Sequence, residues 1–215
     1  MEKRIGIIGS GQVGISLANG FQKHGYKIMI GTNDPEKHES IKEKTGGNAT
    51  IGSFSDTAGF ADVLVLAVKG IAAEEAIKRA GIDLLKNKII LDTTNPIAEV
   101  PPTNGVISFF TTLDESLMER LQKLAPEARF VKCFSCVGNV LMVDPDLGGI
   151  TPTMFIAGND DQAKQVTTDI LTEIGWETED MGKVEGARAI EPLCILWCIP
   201  GMLRGQWRHA FKLVR

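Results

Sequence analysis

The sequence predicts an α/β fold in which a doubly wound parallel sheet carries helices on both faces. Short apolar runs alternate with helical segments along most of the 215 residues, and this pattern is typical of a parallel sheet buried on both sides. The first apolar run enters a glycine-rich turn that leads directly into a helix. Beyond about residue 135 the alternation changes, which predicts a small C-terminal α/β extension that ends in two helices.

The glycine-rich turn carries the strongest functional signal. It reads Gly9-Ser10-Gly11-Gln12-Val13-Gly14. Gly9 permits the tight turn, Gly11 allows a pyrophosphate to approach the backbone, and Gly14 lets the helix pack closely on the sheet. The free N–H groups and the dipole at the start of the helix favour a diphosphate. We therefore predict a Rossmann-type dinucleotide-binding domain over residues 1–135 and a small C-terminal domain over residues 136–215.

The apolar runs and their flanking caps predict the individual elements. The predicted strands are Lys3–Ile8, Tyr26–Ile30, Thr50–Ile51, Val63–Val68, Lys88–Asp92, Phe130–Phe134, Thr153–Ala157 and Trp176–Asp180. The predicted helices are Ile15–Lys23, Ala72–Ala80, Asp114–Leu124, Asp161–Ile174, Ala187–Ile199 and Met202–Val214. Pro200-Gly201 is expected to separate the last two helices.

The end of the second strand favours NADP over NAD. NAD-binding domains place an acidic side chain there to accept a hydrogen bond from the ribose 2′-hydroxyl, but this chain has Gly31 and Thr32 at the usual positions. Thr32 and Asn33 can donate hydrogen bonds to a 2′-phosphate, and Lys37 can supply charge. Asp34 could still turn inward, and an ordinary polar turn with Lys37 in solvent is the alternative.

Two further strand ends point to the nicotinamide side of the cofactor. Ligands of open α/β sheets bind outside the carboxyl ends of the strands. The fourth strand ends in Ala67, Val68 and Lys69, where small residues permit close passage of a ribose. The fifth strand is followed by Asn95-Pro96, a rigid turn that presents an amide. Lys69 could contact phosphate or substrate, or it could simply lie in solvent.

Composition excludes several other classes of protein. The net charge of −4 gives no basic footprint for nucleic acid, and no apolar run approaches the length of about 20 residues that a membrane span needs. The first residues lead directly into a strand, so we expect no signal peptide and a cytoplasmic location.

The four cysteines have spacings that also occur in metal and redox sites. Cys133 and Cys136 lie three apart near a strand, where such positions face opposite sides. Cys194 and Cys198 lie one turn apart in an apolar helix, where cysteine acts as a small hydrophobe. We therefore predict neither a metal site nor structural disulfides.

The sequence offers no obvious catalytic side chain. It contains no recognisable Ser/His/Asp arrangement, and its three histidines are expected to be exposed or packing residues. Hydride transfer between two planar rings chiefly needs two carbons held face to face with water excluded. A hydroxyacid dehydrogenase would need a positioned acid or base for the alcohol proton. The lack of such a group weakens the interpretation as a hydroxyacid dehydrogenase, whereas hydride transfer between two rings would not need one.

Several segments together resemble one family. They are IGIIGSGQVG, LVLAVKG, DTTNP, VKCFSCVGN, PTMFIAGNDDQAK and GARAIEPLCILWCIPGM, which span nearly the whole chain. They are similar to the NADP oxidoreductases that use the deazaflavin coenzyme F-420. The resemblance implies a Rossmann domain that binds NADP and a small C-terminal domain that closes a cleft holding deazaflavin beside the nicotinamide. The Rossmann part also resembles the reductase domain of membrane metalloreductases, which pass hydride to a flavin.

The resemblance also assigns residues to the two ligands. It implies that Ser10, Gln12 and Val13 line the pyrophosphate, that Thr32, Asn33 and Lys37 meet the 2′-phosphate, and that Ala67, Val68, Asn95 and Pro96 border the nicotinamide. The second ligand would be bordered by Ser135, Gly138, Asn139, Glu191 and Leu196. The chain departs from the family pattern at two places, since Ser135 stands where characterised deazaflavin reductases have histidine, and no arginine follows the second strand.

Three functions therefore remain open at this stage. The first is an NADP-dependent oxidoreductase with a deazaflavin or flavin as acceptor. The second is a reductase or dehydrogenase of a small carbonyl or imine, with Ser135 or Asn139 orienting the substrate. The third is a non-catalytic dinucleotide sensor. The apolar C-terminal helices, together with the resemblance, further predict a homodimer.

Overall fold

The computed structural model describes residues 3–215, and these form one eight-stranded sheet with helices on both faces. The strand order is β3-β2-β1-β4-β5-β6-β7-β8. Strands β1 to β6 are parallel, β7 is antiparallel to β6, and β8 is parallel to β7. The predicted α/β fold is therefore confirmed, and its strand order reverses direction between β1 and β4.

The helices and strands alternate along the chain as predicted. The strands are β1 (Arg4–Ile8), β2 (Lys27–Gly31), β3 (Thr50–Gly52), β4 (Val63–Leu66), β5 (Ile89–Asp92), β6 (Arg129–Lys132), β7 (Thr153–Gly158) and β8 (Glu177–Asp180). The α-helices are α1 (Gln12–Lys23), α2 (His38–Lys44), α3 (Phe54–Phe60), α4 (Ala73–Ala80), α5 (Leu117–Leu124), α6 (Asp161–Glu173), α7 (Ala187–Ile190) and α8 (Leu193–Arg204).

The central strands are apolar throughout because both of their faces are covered. In β4, Val63 and Val65 enter the core that contains α1 and α6, while Leu64 and Leu66 enter the core that contains α3, α4 and α5. Successive side chains of a strand point to opposite faces, so this four-residue strand supplies two side chains to each core. The two cores hold the sheet rigid beneath the carboxyl ends of its strands.

Two short helices were not predicted from the sequence, although one of them carries a clear signal. Helix α3 begins at Ser53, whose hydroxyl accepts the N–H of Asp56, and the Asp56 carboxylate in turn accepts the N–H of Ser53. This reciprocal capping box is a recognisable helix start. Helix α2 has only seven residues with one buried side chain, Ile41, so its apolar periodicity is weak.

The predicted break of the last helices at Pro200-Gly201 is wrong. Helix α8 continues through both residues and ends at Gly205, which adopts a left-handed conformation with φ of 66°. Gly201 serves packing instead, because a Cβ there would lie 2.2 Å from the Trp207 ring. Pro200 deprives only the Leu196 carbonyl of a helical partner, and Leu196 lies on the exposed side of α8.

The predicted helix Met202–Val214 is therefore wrong beyond Arg204. After Gly205 the chain has no regular secondary structure and runs back along α8. The indole N–H of Trp197 donates to the His209 carbonyl at 2.9 Å, and the Thr153 N–H donates to the Phe211 carbonyl at 2.9 Å. These long-range hydrogen bonds replace the helical ones, which the apolar pattern alone could not reveal.

The C-terminal extension is continuous with the sheet of the first domain. Strand β7 pairs with β6 through Val131 and Lys132, so the sheet crosses the predicted boundary near residue 135. The division into residues 1–135 and 136–215 stays a prediction. Within residues 3–215, the stretch Val184–Arg204 is long and apolar enough to cross a membrane by length and composition only. The core helix of a globular protein passes the same test, and the cytoplasmic location likewise stays a prediction.

Candidate cofactor groove

Two cavities meet at the carboxyl ends of β1 and β4, where the strand order reverses. The first has a volume of about 600 Å³ and extends over the end of β2 towards α4. The second has a volume of about 710 Å³ and extends from α1 over the end of β5. Both are lined by Gly11, Ala67, Val68 and Lys69, so together they form one groove, which we call the cofactor groove. Such a reversal point is where open α/β sheets bind their ligands.

Most of the residues predicted to bind cofactor line this groove. They are Gly9, Ser10, Gly11, Gln12, Val13, Thr32, Asn33, Lys37, Ala67, Val68, Lys69 and Asn95. Of the other two predicted residues, Gly14 lies beneath the glycine turn and Pro96 is buried beside Asn95. The structure thus brings the predicted set together, while the role of each residue in binding stays a prediction.

The three glycines of the turn meet different surroundings. A Cβ on Gly9 would lie 2.3 Å from the Ala67 carbonyl oxygen, and one on Gly14 would lie 2.2 Å from the Gly9 carbonyl oxygen. These two glycines are required by the packing of the turn itself. A Cβ on Gly11 would meet no atom within 4 Å. The space above Gly11 is therefore open to a ligand, which fits the close approach of a pyrophosphate.

The start of α1 has a surplus of positive potential. Its N-cap is Gly11, which offers no side-chain acceptor, and its first turn contains no acidic residue. The first N–H groups of a helix lack intrahelical partners, and the helix dipole adds partial positive charge at that end. Because α1 does not neutralise these groups itself, they are available to an anionic group such as a diphosphate.

The wall that follows β2 is polar and lacks a free carboxylate. A Cβ on Gly31 would lie 2.8 Å from Thr57 Oγ1, so no acidic side chain fits at this strand end. Asp34 does not reach into the groove as an isolated acid, because its carboxylate accepts the Glu36 N–H at 3.1 Å and lies 3.3 Å from Lys37 Nζ. The Thr32 hydroxyl accepts the Asp34 N–H at 3.2 Å, which fixes the loop.

The opposite wall of the first cavity contains an arginine that the sequence analysis missed. Ala72, Glu75, Ala76 and Arg79, at the start of α4 and along it, line the same cavity as Thr32, Asn33 and Lys37. Arg79 Nε donates to Glu75 Oε1 at 2.8 Å across one helical turn. No arginine follows β2 in the sequence, and only the tertiary fold places one from another element beside that loop.

The ends of β4 and β5 are packed tightly against each other at the second cavity. A Cβ on Gly70 would lie 2.0 Å from the Asn95 carbonyl oxygen, so only glycine fits between these loops. Asn95 Nδ2 donates to the Ser135 carbonyl at 2.9 Å, whereas Asn95 Oδ1 is buried without a hydrogen-bond partner in the described chain. An unpaired buried amide oxygen is costly. It therefore fits the N–H donor that a bound carboxamide would bring.

The segment after β6 contacts the Asn95 loop through the Ser135 carbonyl, although none of its residues lines either cavity. Phe134 adopts a φ of 59°, a strained conformation for a bulky residue, as the chain turns towards Ser135. Ser135 is buried, and its hydroxyl has no hydrogen-bond partner within residues 3–215. Asn139 Nδ2 donates to Ser16 Oγ at 2.9 Å and so ties this segment to α1. Gly138 packs against the Trp197 ring, because a Cβ on Gly138 would lie 2.8 Å from an atom of that ring.

Glu191 and Leu196 lie in very different surroundings from these residues. Glu191 is buried, and its carboxylate accepts the N–H groups of Leu117 and Met118 at 2.9 and 3.1 Å. It also lies 2.9 Å from Lys132 Nζ. Leu196 is exposed on α8. Their place beside a second ligand stays a prediction, and the contacts of Glu191 with Lys132 and the start of α5 are structural.

Lys132 lies at the centre of a buried ionic triad. Its Nζ lies 2.7 Å from Asp92 Oδ2 and 2.9 Å from Glu191, and it donates to the Thr94 carbonyl at 2.8 Å. Burial by itself would lower the pKa of Lys132. The carboxylates of Asp92 and Glu191 raise this pKa by more than burial lowers it, so the pKa lies above its ordinary value. The triad anchors the loop after β5, because Asp92 also accepts the N–H and the hydroxyl of Thr94.

All four cysteines are buried and unpaired with one another by disulfides. Burial raises the pKa of the Cys133 and Cys136 thiols, the latter to about 12, so both are protonated and unreactive at neutral pH. Cys194 and Cys198 pack with Trp197 and Ile107 in a small apolar core. Residues 3–215 contain no group of three or more His, Cys, Asp or Glu residues that could hold a metal ion.

The chain is similar to one family of oxidoreductases and to a solved structure named for the same activity. Residues 4–96 match the family described as "NADP oxidoreductase coenzyme F420-dependent". A proposed F420-dependent NADP reductase from Arthrobacter sp. FB24 superposes with a TM-score of 0.91 at 28% identity, covering 98% of this chain and 99% of that one. The predicted family resemblance is confirmed. The match over residues 4–96 begins with β1 and ends at the Asn95-Pro96 turn, so it includes the glycine turn and most of the groove.

Two curated relatives of the chain are reductases. Metalloreductase STEAP3 from Rattus norvegicus is 25% identical over 205 residues, which are 93% of this chain. An NADPH-dependent reductive aminase from Aspergillus oryzae is 22% identical over 215 residues, the whole of this chain. The chain spans only 39% and 65% of the length of these relatives, respectively. The family match, the solved structure and both relatives agree with the predicted class, an NAD(P)-dependent oxidoreductase.

Proposed function

We propose that this protein is an NADP-dependent oxidoreductase that transfers hydride between NADP(H) and a planar ring acceptor, a deazaflavin or a flavin. The observation that carries the proposal is the course of the cofactor groove. It runs from the loop that holds Thr32 and Lys37, across the open space above Gly11 and past Ala67 and Val68, to the unpaired amide oxygen of Asn95. An extended dinucleotide would lie along this path, with its two ends in the two cavities. NADPH supplies the hydride when it is bound.

The preference for NADP rests on the first cavity. NAD-binding domains use an acidic side chain to accept a hydrogen bond from the ribose 2′-hydroxyl, and neither Gly31 nor Thr32 supplies one. The carboxylate of Asp34 accepts the Glu36 N–H and pairs with Lys37. Asn33 and Lys37 are exposed at the cavity wall, where they can contact a 2′-phosphate. A phosphate there would gain charge-assisted hydrogen bonds that a hydroxyl cannot form.

The preference for a ring acceptor rests on the second cavity. Its hydroxyl groups already donate within the protein, Thr93 to the Leu66 carbonyl and Thr94 to Asp92. Ile71 and Ile97 form an exposed apolar rim, 56% and 40% accessible. An apolar rim without a buried proton donor suits a flat ring that stacks on the nicotinamide. It suits less well an alcohol or carbonyl whose oxygen requires a positioned acid.

The test combines cofactor titration with an acceptor panel. We expect calorimetry to give tighter binding of NADPH than of NADH, with the difference shrinking at high salt because exposed charges are screened. Under anaerobic conditions we then expect NADPH to reduce deazaflavin, FMN or FAD, with ferric chelates, carbonyls and cyclic imines as the remaining arms. Equal affinity for both nucleotides would contradict the NADP assignment, and turnover with imines or carbonyls alone would contradict the ring acceptor.

A second candidate is a reductase of a small imine, and one specific observation favours it. The similarity to the reductive aminase covers the whole chain, and the buried Ser135 hydroxyl has no partner within the described residues. That hydroxyl could orient a small polar substrate beside Asn95. The imine arm of the same panel distinguishes this candidate from the first. A protein that binds NADPH but reduces no acceptor would favour a dinucleotide sensor instead.

We further propose that the protein is a homodimer through α8 and the segment that follows it. Leu196, Met202, Leu203 and Trp207 remain 55%, 45%, 55% and 40% exposed, respectively. Light scattering at micromolar concentration is expected to give twice the 23.3 kDa chain mass. Leu196→Glu is expected to yield monomers, whereas Ile150→Glu, an equally exposed change elsewhere, is expected to leave the dimer intact. A wild-type monomer would refute this proposal.

A further inference from the structure

The first cavity has a cation on each of its two long walls. Lys37 follows β2 on one side, and Arg79 lies near the end of α4 on the other. Both side chains are more than half exposed, at 57% and 56%. They come from separate elements, and the cavity between them also contacts Thr32 and Asn33. A small anion in this part of the groove would therefore meet positive charge from two directions.

The guanidinium of Arg79 is hydrogen-bonded through Nε, and its two terminal amino groups are available to a ligand. Its Nε donates to Glu75 Oε1 at 2.8 Å, an i,i+4 pair on the face of α4. Within residues 3–215 its terminal amino groups have no hydrogen-bond partner. A guanidinium binds the oxygens of a phosphate through two parallel N–H groups. Glu75 thus orients the group and leaves its terminal donors for a ligand.

The two carboxylates of the cavity do not cancel this attraction. Asp34 is bound to the Glu36 N–H and pairs with Lys37, and Glu75 pairs with Arg79. The Arg79 hydrogen bond lowers the pKa of Glu75, so the pair stays ionised at neutral pH. Exposed ion pairs of this kind are weak, and a phosphomonoester dianion can compete with each carboxylate for its cation.

We propose that Arg79 is a specificity-determining residue that binds the 2′-phosphate of NADP from the α4 wall. It supplies the guanidinium that this chain lacks after β2. The inference rests on the proposed NADP function and deepens it, since it names a second cation beside Lys37. Residues on both walls of the cavity then discriminate NADP from NAD, and the loop after β2 contributes only part of this discrimination.

The test measures nucleotide affinity by calorimetry on the full chain, without turnover. Arg79→Gln is expected to weaken NADPH and 2′,5′-ADP about tenfold or more, since a charge-assisted hydrogen bond is lost. NADH and 5′-AMP should change by less than about twofold, because they carry no 2′-phosphate. Lys78→Gln is the matched control. It removes the same charge from the neighbouring position on α4, outside the groove, and should change none of the four affinities.

Each outcome separates this inference from the proposal on which it rests. If the wild type prefers NADPH and Arg79→Gln retains the full preference, the role of Arg79 is overturned while the NADP function stands. If Arg79→Gln weakens NADPH and NADH equally, Arg79 contacts the part that both cofactors share, and the inference is again overturned. If the wild type binds both cofactors equally, the NADP preference itself fails, and the inference fails with it.

Discussion

Lys132→Met is expected to lower the free energy of unfolding by about 3–5 kcal/mol, the cost of breaking a buried ion pair. Lys132 has no exposed surface, and its ammonium group lies within 3 Å of carboxylates from both Asp92 and Glu191. Its removal leaves two buried carboxylates near each other without a cation. The Thr94 carbonyl also loses its donor. Urea unfolding followed by tryptophan fluorescence measures the effect.

The control for this substitution is an exposed lysine in an ion pair. Lys123 lies 2.7 Å from Glu115 with 70% of its side chain exposed. Lys123→Met should change the free energy of unfolding by less than about 1 kcal/mol, because exposed pairs contribute little. If Lys132→Met were no more destabilising than Lys123→Met, the triad could not be the anchor of the loop after β5. A further variant, Glu191→Gln, keeps the shape and tests the charge alone.

The same triad explains why Glu191 could not be placed from the sequence. The resemblance puts Glu191 beside a second ligand, but its carboxylate is bound to Lys132 and to the first N–H groups of α5. Nothing in the spacing of Asp92, Lys132 and Glu191 indicates that they meet. Their contact arises because β5 and β6 are neighbours and Glu191, the residue that follows α7, pairs with Lys132 of β6, so it is a property of the tertiary fold.

Local signals did predict the features that depend on local chemistry. The strand, the three glycines and the helix that follow one another from Arg4 to Lys23 stand as predicted, because turn sterics and helix packing are encoded within one segment. Thr32, Asn33 and Lys37 line the groove for the same reason. Arg79 was missed because it reaches that loop across the groove from α4. Ser53 and Asp56 would have revealed α3 through their capping box.

The C-terminal region shows how a breaker residue can mislead. Pro200-Gly201 reads as the end of a helix, yet α8 continues because only one helical hydrogen bond is lost and Gly201 allows Trp207 to pack closely. The helix ends instead at Gly205, whose left-handed conformation favours glycine. Sequence alone could not decide whether the helix ends at Pro200-Gly201 or at Gly205, since the outcome depends on the tertiary contact of Trp207.

Gly11→Val is expected to weaken both NADPH and NADH by about a hundredfold, the loss of roughly 3 kcal/mol. The added side chain would occupy the open space above the turn, where the pyrophosphate is proposed to approach the start of α1. The loss should be equal for both cofactors, because both carry the same diphosphate. Calorimetric titration of each nucleotide measures it, and the ratio of the two affinities should stay unchanged.

The structure predicts that this variant folds normally. Gly11 has φ of −76° and ψ of −176°, an extended conformation that valine adopts readily, and a Cβ there meets no atom within 4 Å. Gly14→Ala is the opposite case, since its Cβ would lie 2.2 Å from the Gly9 carbonyl oxygen. It should lower stability as well as affinity. A stable Gly11→Val protein that still binds NADPH like the wild type would show that the diphosphate does not lie on this turn, and the course proposed for the cofactor would have to be abandoned.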